Sequence, residues 1–226
     1  VIENAAREPE IVQLCDALNT MGAIIDGIST DKIIIEGVDE LQSADLNVIP
    51  DRIEAGTYLI AGAAMGEITL NYCNPSHLDV LIEKLIQAGA KIETSENSIS
   101  IKKANPINPV DVTTEVYPGF PTDLQAQWIA LMAIASGSSV VTDTVYHDRF
   151  THIPELNRLR ANIELRDNIA IINGVDHLIG APVMSTDIRA SAALILGAIM
   201  ARGQTDISRV YHIDRGYESI EKKFQA

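Results

Sequence analysis

Asp123 stands in the segment VYPGFPTDLQAQW, residues 116–128, behind a turn carrying Pro118, Gly119 and Pro121 and ahead of an apolar helical pattern. A carboxylate at that place has two uses. Thr122 to Gln125 fits the T-x-x-Q capping box, with Thr122 as N-cap and Asp123 in the first turn, where the helix dipole favours an anion. The same carboxylate beside a substrate hydroxyl would act as a general base. The stiff Pro-Gly-Phe-Pro lead-in is more than capping requires, and both readings stay open.

Arginines supply the opposite charge. The phrases VYHDRFTHIPEL and VYHIDRGYESIE match, and they put Arg149 and Arg215 at the threshold of a helix. Backbone N–H groups face that threshold, so an arginine beside it makes an anion site. Arg52 follows Asp51 directly, and Arg189 lies two residues after Asp187. The alternative for each is an ion pair with a neighbouring carboxylate, such as Asp148 or Asp214. Four arginines at helix starts favour anion binding by at least two of them. His147 and His212 are repeat-equivalent and could donate to a phosphate or to backbone. Glu3, Asn4 and Arg7 form a polar cluster ahead of Pro9, well placed near a helix start.

Other chemistries find no support. Neither His147 nor His212 has metal-ligand spacing with Asp or Cys. A P-loop, GxGxxG after a strand and GxSxG are all absent from the 226 residues, so no cofactor or metal is expected. The formal charge of -14 argues against nucleic acid, whose phosphates need a basic face. Small anionic substrates remain open, because focused arginines can outweigh a diffuse negative surface. Cys15 is in phase with Ile11, Leu14 and Leu18 and reads as a buried hydrophobe. Cys73 ends a strand, where a catalytic thiol stays open although no basic partner is visible in its phrase. Two cysteines without pairing spacing suggest a reducing compartment. No signal peptide and no apolar run of about 18 residues is found, which points to the cytosol rather than a membrane.

The elements that must carry these residues repeat. Apolar helical runs begin at Ile49, Phe120 and Met184; each has an acid, Asp51, Asp123 or Asp187, just inside its start. They end near Gly66, Gly137 and Gly203 and pass into β-rich segments. A second helix with two short strands comes next in residues 75–103 and 151–174, and the opening stretch 8–38 has the same pattern. The unit is βαβαββ, of about 65 to 70 residues. Residues 1–48 are the tail of one unit, and 49–226 hold three more, the last breaking off within its helix. Runs such as ALILGAIM are apolar all round, hence buried, so the helices lie inside and the sheets outside, inverting the usual α/β layering. Gly22 and Gly89 end the second helices in left-handed caps, but Arg160 holds that slot in the third copy. A different exit is expected there.

The phrases IENAAREPEI, DRIEAGTY, PGFPTDLQAQ, DRFTHIPEL, STDIRASAAL and YHIDRGYE together resemble those of the UDP-N-acetylglucosamine 1-carboxyvinyltransferases, within the enolpyruvyl transferase family. The resemblance implies an inside-out α/β barrel lobe of βαβαββ units, with 1–48 closing a preceding lobe. It implies enolpyruvyl transfer from phosphoenolpyruvate to the 3-hydroxyl of UDP-N-acetylglucosamine by addition and elimination, in peptidoglycan synthesis. Asp123 matches the sugar-contacting aspartate and, with Arg215, a catalytic position. Val145 matches a residue whose backbone contacts the UDP-sugar, and Arg149, Asp187, Arg189 and Arg215 match residues lining the phosphoenolpyruvate side. Glu3, Asp51 and Arg52 match the hinge between lobes. The family's Lys-Asn pair, its loop cysteine and the rest of its first lobe have no counterpart here. This chain alone is therefore expected to be inactive. Alternatives are a transferase with a shikimate-type acceptor, or a non-catalytic binding module.

Overall fold

The computed structural model describes residues 1–225. The chain opens with β1 (Ile2–Glu3), α1 (Pro9–Thr20), β2 (Ile24–Asp26) and β3 (Lys32–Glu36). Pro9 starts α1 at the first helical position, where its fixed φ fits and its missing N–H is not needed. β3 pairs antiparallel with both β1 and β2. Cys15, Ile25 and Ile33 pack beneath this sheet in a cluster separate from the main core. Side-chain bonds tie α1 to the chain approaching the next helix: Gln13 Nε2 donates to Asn47 O at 2.7 Å, and its Oε1 accepts the Ile49 N–H at 3.1 Å.

The next unit comprises α2 (Arg52–Met65), β4 (Glu67–Asn71), α3 (Asp79–Gln87), β5 (Lys91–Thr94) and β6 (Ser98–Lys102). Its sheet is antiparallel in the order β4-β6-β5. No strand precedes α2, because residues 37–51 run as irregular chain; the expected leading strand is absent from this copy. The third unit has β7 (Val112–Thr114), α4 (Gln125–Met132), β8 (Ser138–Asp143), α5 (Ile153–Arg158), β9 (Asn162–Arg166) and β10 (Ile169–Asn173). Its sheet runs β7-β8-β10-β9, with β7 and β8 parallel. The last has β11 (Leu178–Ile179), β12 (Val183–Met184), α6 (Ile188–Met200), β13 (Ala201–Arg202), β14 (Ile207–Ser208) and α7 (Ile220–Lys223). Here β11 pairs with β13 and β12 with β14, both parallel, as β7 does with β8.

The first helix of each unit lies inside. All eight residues of α4 are buried, as are all of α2 except Glu54 and Met65. Small residues let these helices meet: a Cβ added at Gly56 would lie 2.5 Å from Leu124 Cδ1. The inverted layering results, although the sheets stay separate and none closes on itself among the described residues. α4 stops at Met132, short of the expected end near Gly137. The segment after it is claimed by backbone bonds from the end of the hairpin, Val175 N–H to Ala133 O at 2.8 Å and Gly174 N–H to Gly137 O at 3.0 Å. Burying each large aliphatic side chain of this hub, Leu59, Leu131 or Leu194, stabilises the fold by about 1.5–3 kcal/mol.

Arg160 corrects the expectation of a different helix exit. Gly22 and Gly89 have φ of 100°, and Arg160 keeps the left-handed region at φ 67°. Ala161 N–H reaches back to Leu156 O at 3.2 Å, as Ala23 does to Leu18 O and Ala90 to Leu85 O. The lower φ brings Arg160 into the narrow αL region that a Cβ can occupy. Asn157 braces the turn by donating to Ile163 O and accepting its N–H, as Asn19 does with Ile25. Arg160→Gly is expected to raise unfolding stability by about 1 kcal/mol, read from the denaturant midpoint; an unchanged or lower midpoint would show the cap to be unstrained.

Candidate active site

Asp51 and Asp187 are N-caps. Asp51 Oδ1 accepts the N–H groups of Ile53 and Glu54, and Asp187 Oδ1 those of Arg189 and Ala190. Asp123 does not share that slot, and the capping-box reading fails. Thr122–Leu124 winds as a 3-10 turn and α4 begins only at Gln125. The Thr122 hydroxyl donates instead to Asp143 Oδ2 at 2.7 Å. Gln125 reaches back to nothing, and both its polar side-chain atoms lack a protein partner.

Released from capping, the Asp123 carboxylate meets two arginines from different units. Its Oδ1 accepts Arg149 Nη1–H at 2.7 Å and Arg189 Nε–H at 2.9 Å. All three side chains are part-buried, between 20% and 31% exposed. Arg149 also lies over the Tyr146 ring, 5.1 Å from its centroid. Neither arginine pairs with the sequence-adjacent acid that the simpler reading favoured. Burial alone would raise the Asp123 carboxyl, but Arg189 and Arg149 hold it below the usual carboxylate range. It is therefore deprotonated at neutral pH, with Oδ2 bound to no protein donor among the described residues.

The lead-in turn forms one wall of the site. Glu115 N–H donates to Phe120 O at 3.0 Å, closing the loop that Gly119 tightens by donating to Val116 O at 2.9 Å. Phe120 is buried edge-on to Trp128. A small cleft of ≈ 50 Å³ joins Asp123 with Val145, Arg52, Tyr117 and Gly119. Val145 N–H is already donated to Asp143, which leaves its carbonyl for a backbone contact. Asp187 caps the helix that carries Arg189, and its Oδ2 accepts the Thr151 hydroxyl at 2.9 Å.

Among the other expected residues, Arg52 lines this same cleft with its charge already paired, while Glu3 and Arg215 lie outside its lining. Arg52 is 8% exposed and binds Glu10 through two parallel bonds, 2.8 and 3.1 Å, under the Tyr117 ring. It joins α1 to α2 and is spent on that ion pair, so it is not a free anion ligand. Glu3 is exposed on β1, 3.8 Å from Lys32. Arg215 is exposed at the end of the 3-10 turn Val210–Arg215 and forms no ion pair among the described residues. Both cysteines are free and buried. Burial pushes the Cys73 thiol up, which suits a structural role. Among the described residues no group of His, Cys, Asp and Glu could hold a metal, and no helix is long and apolar enough to cross a membrane.

Two acids went unrecognised in the sequence. Glu10 reads as a first-turn acid of α1, and nothing local marks Arg52 as its partner. Asp143 had a usable signal: strand alternation puts it on the buried face of β8, with Ser139 and Val141, where a carboxylate needs donors.

The fold and this carboxylate–arginine site place the chain in a known class. A family model described as EPSP synthase (3-phosphoshikimate 1-carboxyvinyltransferase) matches residues 1–224, and the chain belongs to that family. Among its relatives, the UDP-N-acetylglucosamine 1-carboxyvinyltransferase of Chlorobium chlorochromatii (strain CaD3) is 53% identical over 99% of this chain and 53% of the relative. The enzyme of that name from Myxococcus xanthus (strain DK1622) is 48% identical over 100% of this chain and 54% of the relative. The chain thus spans about half the length of the curated relatives it matches. Among solved structures, the enolpyruvyl transferase NikO from Streptomyces tendae superposes with a TM-score of 0.86 at 24% identity, over 97% of this chain and 53% of its own. EPSP synthase from Acinetobacter baumannii gives 0.70 at 18%, over 92% and 52%.

Acid stability should fall in two separate windows. Burial holds the fully enclosed His152 imidazole down at about 4, against a partial opposing pull from Asp187. The unfolded chain takes up that proton near pH 6.5, so stability falls between about pH 6.5 and 4. Asp123 contributes above the ordinary carboxyl value near 4, and that contribution is lost at still lower pH. Denaturant unfolding across pH should show His152→Gln flattening the first window and Asp123→Asn reducing the slope of the second, which Glu10 and Asp187 share. Unchanged curves would mean that these groups do not set acid stability.

Proposed function

We propose that this chain supplies one side of the substrate cleft of an enolpyruvyl transferase acting on phosphoenolpyruvate and UDP-N-acetylglucosamine, at the first committed step of peptidoglycan synthesis. The observation that carries the reading is the Asp123 carboxylate shared by Arg149 and Arg189. Relatives of that name at about half identity along the whole chain support the choice of acceptor. Residues 49–226 would form an inside-out lobe of βαβαββ units, and 1–48 would close a preceding lobe. The separate small core under β1–β3 favours that division. The rest of the cleft would come from the other half of a chain as long as the relatives.

The chemistry rests on the charges. The acceptor 3-hydroxyl adds to C2 of phosphoenolpyruvate while a proton goes to C3; elimination then releases phosphate and returns the C3 proton. Asp123 accepts the hydroxyl proton. With two guanidiniums on Oδ1 the carboxylate is ionised but weakly basic. An arriving phosphate or carboxylate competes for those guanidiniums, which stabilises the anion and raises the basicity of Asp123. Val145 offers its carbonyl to the UDP-sugar, and Asp187 keeps the start of α6, and so Arg189, in place. Arg215 stands ready as a further anion ligand. Arg52, Asp51 and Glu3 belong to the hinge, where the Arg52–Glu10 pair spans the proposed boundary.

Phosphate release with both substrates tests the proposal. The 226-residue chain alone should show no turnover, and a full-length transferase carrying it should show it. Asp123→Asn in that enzyme should cut kcat by about 100-fold or more while leaving the fold intact by circular dichroism. Near-parental turnover would remove Asp123 from catalysis. Binding of uridine diphosphate rather than shikimate 3-phosphate by the full-length protein separates the acceptor classes.

A further inference from the structure

Asp143 is fully buried at the end of β8, with no cation bound to it among the described residues. Four donors converge on it. Oδ1 accepts the Thr114 hydroxyl at 2.7 Å, Val145 N–H at 3.0 Å and Tyr146 N–H at 2.8 Å; Oδ2 accepts the Thr122 hydroxyl at 2.7 Å. Thr122 directly precedes Asp123. Tyr146 in turn accepts the Arg149 N–H on its carbonyl at 3.2 Å and places its ring under the Arg149 guanidinium. One buried carboxylate therefore grips both chain segments whose side chains meet at the site.

The repeat provides an internal comparison. Aligning VYH at residues 145–147 with VYH at 210–212 sets Ser208 opposite Asp143. Ser208 donates to Val183 O at 3.3 Å and has no carboxylate to gather the next turn. That turn winds as a 3-10 helix, and its arginine, Arg215, projects into solvent. The tether from Thr122 to Asp143 accompanies the 3-10 turn that places Asp123 ahead of α4, where its carboxylate takes the two arginines and no helix N–H.

We propose that Asp143 is a positioning residue of this site: by holding Thr122 through one oxygen and the Val145–Tyr146 turn through the other, it sets Asp123 against Arg149. This rests on the reading of Asp123 as the base, although the geometry it describes exists without substrate. A buried carboxylate satisfied by neutral donors alone is costly to leave without them, so its four bonds act together. Loss of any one loosens both segments.

The test uses the full-length transferase. Asp143→Ala should lower kcat by about 100-fold, and the loosened Val145 turn should raise KM for the UDP-sugar by a smaller factor. Asp143→Asn should recover most of that loss, because its amide oxygen still accepts the turn N–H groups and the Thr122 hydroxyl can accept from the amide nitrogen. Thr122→Val, near-isosteric, serves even if Asp143→Ala fails to fold; it should lower kcat by about 10-fold with little change in thermal midpoint. Its crystal structure should show the 2.7 Å Arg149–Asp123 contact opened beyond hydrogen-bond range. A parental contact in Thr122→Val overturns the proposal whatever the turnover, as does an Asn variant no better than the Ala variant. Should the parent enzyme reject UDP-N-acetylglucosamine, the substrate reading fails while the Thr122→Val structure still decides this one.

Discussion

Two guanidiniums on one carboxylate oxygen form the interaction around which this chain is arranged. Arg149 arrives from the turn after β8 and Arg189 from the first turn of α6, and both end on Asp123 Oδ1. Such a junction needs the starts of α4 and α6 and the turn after β8 brought to one side of the molecule. The packing of α4 against both α6 and β8 does that, because buried apolar helices rich in small residues can approach closely. The local electrostatics reflect this. An acidic chain presents a spot where cationic groups gather around a single acid.

Several polar groups inside the hub are committed to one another. Thr57, Gln127 and Tyr217 bond one another between the central helices, with Thr57 Oγ1 and Tyr217 Oη 2.7 Å apart. Arg52 and Glu10 occupy each other at the junction of α1 and α2. A buried ion pair of this kind adds little net stability but is expensive to break, which favours a fixed register between the elements it joins. Gln125 and Gln127 Oε1 stay without a protein partner inside, whereas Asp123 Oδ2 and the exposed Arg215 are groups that a substrate could engage.

Much of this was legible in the sequence. The three small-residue helical runs, the hairpins behind them and the buried position of the runs all derive from periodicity and composition. Asp123, Arg149 and Arg189 each stand out there as residues able to do chemistry. Their association was not legible, because 26 residues separate Asp123 from Arg149 and 66 separate it from Arg189. Local rules favoured the wrong partners: a capping box for Thr122, and adjacent acids for the arginines. At Arg160 the local rule erred in the other direction. A preference of about 1 kcal/mol for glycine was outweighed by backbone bonds and the Asn157 brace that the left-handed turn makes possible.

The sequence by itself determined the repeat, the inverted layering and which side chains carry charge, since these depend on patterns within a few turns of chain. Only the tertiary structure decided which carboxylate caps a helix and which is free. Asp51, Asp123 and Asp187 look alike in their phrases. Their roles diverge because the chain at Asp123 winds as a 3-10 turn tethered through Thr122 to Asp143, a residue 21 positions away that packing alone brings within reach, and its carboxylate is left to Arg149 and Arg189.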